Sequence, residues 1–298
     1  MRQWFYSDPS PTSFIYTLLT SHFSLRSNTI KMGSPVVDHR RLRCVFEEWI
    51  AQQQEDLEEL SRAMDSNLGD EELFGVVDKN VKHFEEYQEH RALLADQNGG
   101  PPFLSPSWCT TFENAFMWIG GCRPSLSIRL VYSLCGSDLD SQLQGYLQGE
   151  RTGSLADISA AQLNQINALQ SKTVREEDKL SSRIATLQED MADEPLAMIV
   201  NKSKKVGESS SDVERALDNH AVAMGRMVVE ADKLRLRTLT ELVKILTPVQ
   251  AAHLLLVAKK LHLSIHEWSK KRDGGAAADR QFNTTQDAAS AACSVSPG

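Results

Sequence analysis

His262 and His266 stand four residues apart near the C-terminal end of the chain. On a helix that spacing puts both imidazoles on one side, one turn apart, where they could bind a transition metal or one could ligate a haem iron. They cannot be axial ligands on opposite faces of one haem, because they point the same way. The plainer reading is a pair of boundary histidines that snorkel or cap. His220 falls inside a heptad-spaced apolar seam and reads as a hydrogen-bonded core histidine. The other stretch with the residue types for chemistry is Trp118-Ile119-Gly120-Gly121-Cys122-Arg123-Pro124-Ser125-Leu126-Ser127-Ile128-Arg129. Two glycines, a cysteine, an arginine and a proline between apolar runs would suit a ligand loop, a DNA-reading helix-turn-helix or a sharp corner. A recognition helix exposes polar and basic residues to base edges. Here the second helix reads Leu126, Ile128, Leu130, Val131 and Leu134, with Arg129 as its one base. A corner between two buried helices is therefore expected.

Catalytic patterns are missing. The chain has no Gly-rich phosphate loop, no Gly-x-Ser-x-Gly elbow and no His-Glu-x-x-His, since His266-Glu267 is followed by Trp268 and Ser269. The acid pairs Glu85-Glu86 and Glu176-Glu177 read as solvated charge on helix faces. Cys44, Cys109, Cys122, Cys135 and Cys293 form no Cys-x-x-Cys pair, so no zinc site is expected and the thiols read as reduced and buried. The chain reads as a non-enzyme.

With 298 residues, 41% apolar and 24% charged, the polypeptide can bury a full core. Acids outnumber bases 40 to 32, and the net charge of -8 argues against a protein whose main task is coating nucleic acid. A local basic end exists at Lys259, Lys260, Lys270, Lys271 and Arg272. It suits the dipole of a helix C-terminus, or else an acidic partner or a nuclear import signal.

The elements that must position these residues are helices. Phe46, Trp49, Ile50, Leu57 and Leu60 recur at helical spacing over Leu42 to Met64. A second helix is expected from Glu71 to Leu94, stopped by Asn98-Gly99-Gly100-Pro101-Pro102. A short apolar helix over Thr111 to Ile119, with Phe112, Ala115, Phe116 and Ile119 on one stripe, is the expected centre of the core. Gly120-Gly121 ends it, and Pro124 and Ser125 open a helix to Leu134 that Gly136 closes. After a loop over Gly145 to Gly153, a long helix spans Ser159 to Met191, with Gln170, Thr173 and Glu177 as a wet interruption of its apolar line. Pro195 and residues 202–211 read as a break. The strongest seam, Val213, Leu217, His220, Met224, Met227, Ala231, Leu234, Thr238, Leu242 and Ile245, would pack on long helices within the chain or across a homodimer. Thr247-Pro248-Val249-Gln250 is a capping box that starts a last helix to Trp268, its buried stripe being Leu254, Val257, Leu261, Ile265 and Trp268. The expected fold is all-α, a multi-helix bundle of long antiparallel helices with no sheet. Residues 1–40 are an N-terminal extension expected to be disordered, 41–272 the helical domain, and 273–298 a disordered tail. Residues 1–31 are Ser-rich and acid-poor, as in a transit peptide, though an extension upstream of Met32 is the favoured reading. Met32-Gly33-Ser34-Pro35-Val36-Val37 lacks a myristoylation signal, and Phe14 to Leu19 is far too short to span a bilayer.

Three separated blocks carry a resemblance: Phe46-Glu47-Glu48-Trp49-Ile50, the run from Phe112 to Ser125, and Lys260-Leu261-His262-Leu263-Ser264-Ile265-His266-Glu267-Trp268. Together they resemble the plant Delay of Germination family, whose domain also forms the C-terminal half of TGA-class bZIP transcription factors. Trp49, Trp118, Gly120, Gly121, Arg123, Pro124 and Trp268 are the signature residues so identified. The resemblance implies a helical regulatory module of nuclear signalling in seed dormancy, maturation and abscisic acid response. Its implied partners are type 2C protein phosphatases or bZIP-type transcription factors, with haem at His262 and His266. Residues 1–40 hold no basic run followed by leucine heptads, so the DNA-contacting segment of the TGA class is unmatched. A protein-interaction module is the leading expectation. A haem sensor and DNA binding through the basic C-terminal helix follow it.

Overall fold

The computed structural model describes the backbone of residues 38–66, 68–146 and 155–293, and the side chains of these except 137–146, 156 and 275–293. The segment expected as an N-terminal extension therefore lies almost wholly outside the described residues. Helix α1 spans His39–Asp65, α2 Asp70–Asn98, α3 Pro101–Leu104, α4 Thr111–Ala115, α5 Ser125–Tyr146, α6 Ala160–Glu189, α7 Leu196–Lys202, α8 Ser211–Ile245 and α9 Pro248–Cys293, with 3-10 turns at Leu155–Asp157 and Asp190–Ala192. No strand occurs among the described residues; Trp118 and Gly121 form one isolated antiparallel bridge. The all-α expectation holds. No helix among the described residues is long and apolar enough to cross a membrane.

Local chemistry sets the helix starts. Asp38 accepts the amide of Arg41 at 3.0 Å, and Ser159 and Gln162 form a capping box. Ser210 accepts the amide of Val213 ahead of α8. Ahead of α9, Thr247 N–H donates to Gln250 Oε1 (3.0 Å) and Gln250 N–H to Thr247 Oγ1 (3.3 Å), with Pro248 at the first helical position. That last box is the one the sequence announces.

The long helices run antiparallel. The Asp56–His83 and Glu59–Lys79 pairs join α1 to α2, Lys259 of α9 reaches Gln53 and Asp56 of α1, and Arg183–Glu230 and Lys172–Glu241 join α6 to α8. Two apolar clusters result. Leu60, Val77, Ile128, Val131, Ile166, Leu242 and Leu254 anchor one, and Leu42, Leu94, Phe103, Ile119, Leu180, Met227, Val228 and Leu234 the other. Burying each such side chain contributes about 1.5–3 kcal/mol. Between the clusters lies a belt of buried polar groups. Gln53 and Asp56 separate Leu42 from Leu60 on α1, Asn80 and Gln88 separate Val77 from Leu94 on α2, and Thr173 and Glu177 separate Ile166 from Leu180 on α6.

Several expectations need correction. The short helix stops at Ala115 rather than Ile119, and Phe116 is 67% exposed, so this segment is not the centre of the core. The reason is that residues 116–124 turn into a loop whose carbonyls are claimed by arginines of α2 and α8. Helix α5 passes through Gly136 to Tyr146, and the expected loop lies mostly in 147–154, outside the described residues. The middle of α6 is buried rather than wet. The last helix continues past Trp268 to Cys293, across much of the segment expected as a tail. Its stripe is buried at Leu254 but opens at Leu261 and Trp268, because α9 turns a different line, through Lys259, His266 and Ser269, toward the interior.

Candidate functional site

The signature block is a loop held from three sides. Ile119 and Gly120 take positive φ values of 45° and 71°, which turns the Trp118, Ile119, Gly120 and Cys122 carbonyls toward the interior. Arg235 of α8 donates from Nε to Cys122 O (2.6 Å), from Nη2 to Trp118 O and Ile119 O, and from Nη1 to Asp232 Oδ1 (2.6 Å). Arg91 of α2 donates to the other oxygen of Asp232 (2.8 Å) and to Gly120 O (2.8 Å). The guanidinium fork satisfies several oxygens at once, which an ammonium could not do at this geometry. Gly121 has a steric reason to be glycine: a Cβ there would stand 3.0 Å from Arg235 Cζ. At Gly120 a Cβ would meet Phe103 O at 2.9 Å in addition to its backbone strain. Burial works against the Arg91 charge, but Asp232 and Tyr87 outweigh it, so its pKa stands above the ordinary value.

On the third side, Glu177 of α6 receives Ser125 N–H (2.6 Å), Ser125 Oγ–H (3.1 Å) and Arg123 Nε–H (2.6 Å), while Trp118 Nε1 donates to Ser181 Oγ (3.0 Å). Glu177 is 0% exposed. The structure thus brings Trp118, Gly120, Gly121, Arg123 and Pro124 together, and their polar groups are spent on joining α2, α6 and α8. Trp49 belongs elsewhere: its ring stacks on Tyr87 at 4.4 Å and receives Lys259 Nζ at 5.7 Å.

Glu177, Asp232, Arg235, Arg91, Asp56 and Glu113 are the residues that sequence reasoning missed. For Glu177 a signal existed: it sits at the interior step of a three-four apolar line, where a solvated acid would not be placed. Asp56, itself buried, receives Lys259 Nζ (2.8 Å), Gln52 Nε2 (3.0 Å) and the His83 ring (2.7 Å). Burial lowers the Lys259 pKa, and Asp56 pulls it back.

The two histidines sit where α9 meets α1 and α4. His266 is 4% exposed; its Nδ1 lies 2.5 Å from Glu113 Oε1 and its ring meets Phe46 edge-on at 5.7 Å. Glu113 in turn accepts the Thr110 amide (2.8 Å), so the pair fastens the short α4 to α9. His262 makes no hydrogen bond among the described residues. Burial first, then His266, lowers its pKa to about 4 against the pull of Glu113, so it is a neutral imidazole at physiological pH. As a test of haem fit, His266 is committed to Glu113 and covered by Phe46, whereas His262 is half-buried and in the protonation state that ligation needs. Of the two, His262 is the residue that would hold a haem iron, as a neutral nitrogen donor. No cluster of three or more His, Cys, Asp or Glu that could hold a metal occurs among the described residues. A surface cleft of about 580 Å³ lies elsewhere, lined by Pro195, Met198, Lys202 and Asp212 among others.

The remaining expectations fall out differently. His220 is half-buried, and its Nε2 has no hydrogen-bond partner among the described residues, so it is not the satisfied core histidine expected. Cys44 and Cys122 are exposed, not buried. Cys109 is partly buried, and burial followed by Glu113 pushes its thiol up to about 12. Trp268 is 62% exposed.

Comparison with known proteins accounts for the block. A family model described as DOG1, seed dormancy control, matches residues 56–133, the span from Asp56 to the helix after the glycine loop. Protein DOG1-like 1 of Arabidopsis thaliana is 41% identical over 249 residues, covering 76% of this chain and 88% of its own length. The chain belongs to the DOG1-like family. Protein DOG1-like 3 of the same plant is 39% identical, covering 76% of this chain and 83% of its own. Transcription factor TGA6 of Arabidopsis thaliana is 30% identical over 75% of this chain and 59% of its own length, so the DOG1-like fold is similar to part of a transcription factor. Within this family member the glycines permit close approach to Arg235 and Phe103.

Proposed function

We propose that this DOG1-like protein is a non-enzymatic regulatory module that acts by binding proteins in transcription-linked control of seed dormancy, seed maturation and abscisic acid response. The observation that carries this reading is the similarity to both DOG1-like proteins and TGA transcription factors over three quarters of the chain. The buried polar belt supports it: the charged groups that could have formed a reaction centre are paired with one another inside the bundle. Its partners in this reading are type 2C protein phosphatases or bZIP-type transcription factors, and its place is the nucleus. Contact with DNA is indirect, in keeping with the net charge of -8.

The protein also pairs with a second copy in this reading. The central part of the α8 seam is used within the chain, but Leu217 is 44% exposed and Val222, Met198 and Val200 are also open around the start of α8. Binding of purified type 2C phosphatase or a TGA-type factor to the purified chain, by calorimetry, tests the partner claim; absence of heat with either class refutes it. Light scattering at micromolar concentration tests the dimer, and a particle of 33.2 kDa refutes it.

A second reading, haem binding, is favoured by the neutral, half-buried ring of His262. Hemin titration should give a Soret shift that His262→Ala abolishes. A spectrum and affinity unchanged in His262→Ala would dismiss it.

A further inference from the structure

The sequence marks Leu254, Val257, Leu261, Ile265 and Trp268 as one apolar stripe, yet the chain covers only its first half. Leu254 is buried, while Leu261 and Trp268 stand open one above the other, seven residues apart. One turn beyond Trp268, Arg272 places its guanidinium over the Phe112 ring at 5.4 Å, and Phe112 leans on the exposed Phe116 with ring centroids 4.9 Å apart. Exposed apolar surface thus lies at Leu261 and Trp268 on α9 and, past the Arg272–Phe112 contact, at Phe116 just after α4. It is about 10 Å long on α9 alone, at 1.5 Å per residue.

The rim of this strip is cationic in a chain whose net charge is -8. Lys271 and Arg272 are exposed beside Trp268. The nearby acids are already engaged: Glu267 lies 3.5 Å from Lys270, and Asp273 accepts the amide of Thr111 at 3.0 Å. An unpartnered large apolar face rimmed by charge marks a binding surface. The sign of the rim selects the occupant. A two-fold pairing of this face with itself would bring its own cations together, which disfavours a second copy.

We propose that the exposed Leu261–Trp268 face of α9, rimmed by Lys271 and Arg272, is a docking surface for a short amphipathic helix that carries Leu, Phe or Trp on one face and Asp or Glu on its flanks. This rests on the reading that the protein works through protein partners, and names the chemistry of one of them. A large aromatic on such a face is the residue type on which binding energy concentrates.

The test is display selection of random 16-residue peptides on the immobilised full chain, then fluorescence anisotropy of the enriched peptides. The expected peptides are net acidic with apolar residues at i, i+3 or i+4, and i+7. Their affinity should fall at least tenfold for Trp268→Ala and for the Lys271→Glu, Arg272→Glu double variant. Both changes are at exposed positions, and circular dichroism checks that each variant stays folded. Enriched peptides that are basic, or that bind the variants as tightly as the parent, overturn the proposal, as does no enrichment. Loss of a dimer in Trp268→Ala by light scattering overturns it too, since a second copy would then cover the strip. Peptides that bind with affinity indifferent to Trp268 would sink the docking surface and leave the interaction reading standing. Binding of no peptide, phosphatase or transcription factor would sink both.

Discussion

Glu177, in the middle of α6, closes the N-terminus of α5: its Oε1 accepts the Ser125 amide at 2.6 Å while Oε2 takes Ser125 Oγ–H and Arg123 Nε–H. A fully buried carboxylate at a helix N-terminus satisfies donors that the helix itself cannot. Glu177→Ala would leave the Ser125 amide without its acceptor inside the protein and Arg123 without its main partner. A loss of about 2–4 kcal/mol in urea denaturation is expected. Glu177→Gln keeps one acceptor oxygen and should lose less. Equal losses in the two variants would show that filling the space, not accepting hydrogen bonds, is what the side chain does.

Gly121 and Arg235 form one unit. A Cβ at Gly121 would press on the Arg235 guanidinium at 3.0–3.2 Å, and that group cannot yield because three loop carbonyls and Asp232 hold it. Gly121→Ala should therefore cost about 1–3 kcal/mol, and Arg235→Lys about 2–3 kcal/mol through unsatisfied carbonyls. Because the methyl group has less to strike once the fork is gone, the double variant should lose clearly less than the sum. A double-mutant cycle that closes to additivity within about 0.5 kcal/mol would dissociate the two residues.

The glycine block was legible as a corner because positive φ and proline have local signatures, but not as a knot of carbonyls and arginines. Arg91, Asp232 and Arg235 come from helices more than a hundred residues apart in part, and period analysis reads charged positions as solvated. The same bias hid Thr173 and Glu177, taken for a wet gap although they continue an apolar line, and Asp56, which only α9 and α2 together enclose. Helix positions and caps were read well because amphipathic spacing and side-chain capping act within a few residues. The overreach at Phe112 and Phe116 has a related cause: a run of aromatics reads as buried by spacing alone, yet Phe112 is half-buried and Phe116 67% exposed, because the chain leaves the helix after Ala115.

His262 predicts how stability responds to acid. Its folded pKa of about 4 lies below the ordinary 6.5, held down by burial first and then by His266, with Lys259 adding to this and Glu113 opposing it. The unfolded chain therefore takes up a proton near pH 6.5 that the folded chain refuses until about pH 4. The neutral ring's contribution is fully present above pH 6.5, and stability falls as the pH drops from 6.5 toward 4. The loss should reach on the order of 2 kcal/mol. In His262→Gln that component vanishes, so the difference in melting temperature between pH 7.5 and pH 5 should shrink relative to the parent. Identical pH profiles for the two proteins would contradict the low folded pKa of the half-buried ring.

Asp56 and Lys259 offer a way to ask what the polar belt is for. Both are buried, and Asp56 also engages His83 and Gln52, so removing the acid alone strands a desolvated ammonium beside Trp49. Asp56→Ala should cost about 3–5 kcal/mol. Replacing both, as Asp56→Leu with Lys259→Met, removes the charge and the donor together and should recover most of that loss, since apolar groups of similar volume can serve a helix interface as well as an ion pair. If the belt fixes which helix faces meet, the double variant should be stable yet less uniquely packed, with weaker near-ultraviolet circular dichroism and broader side-chain resonances than the parent. A double variant as stable and as sharply ordered as the parent would show instead that the apolar clusters alone set the register of α1 against α9.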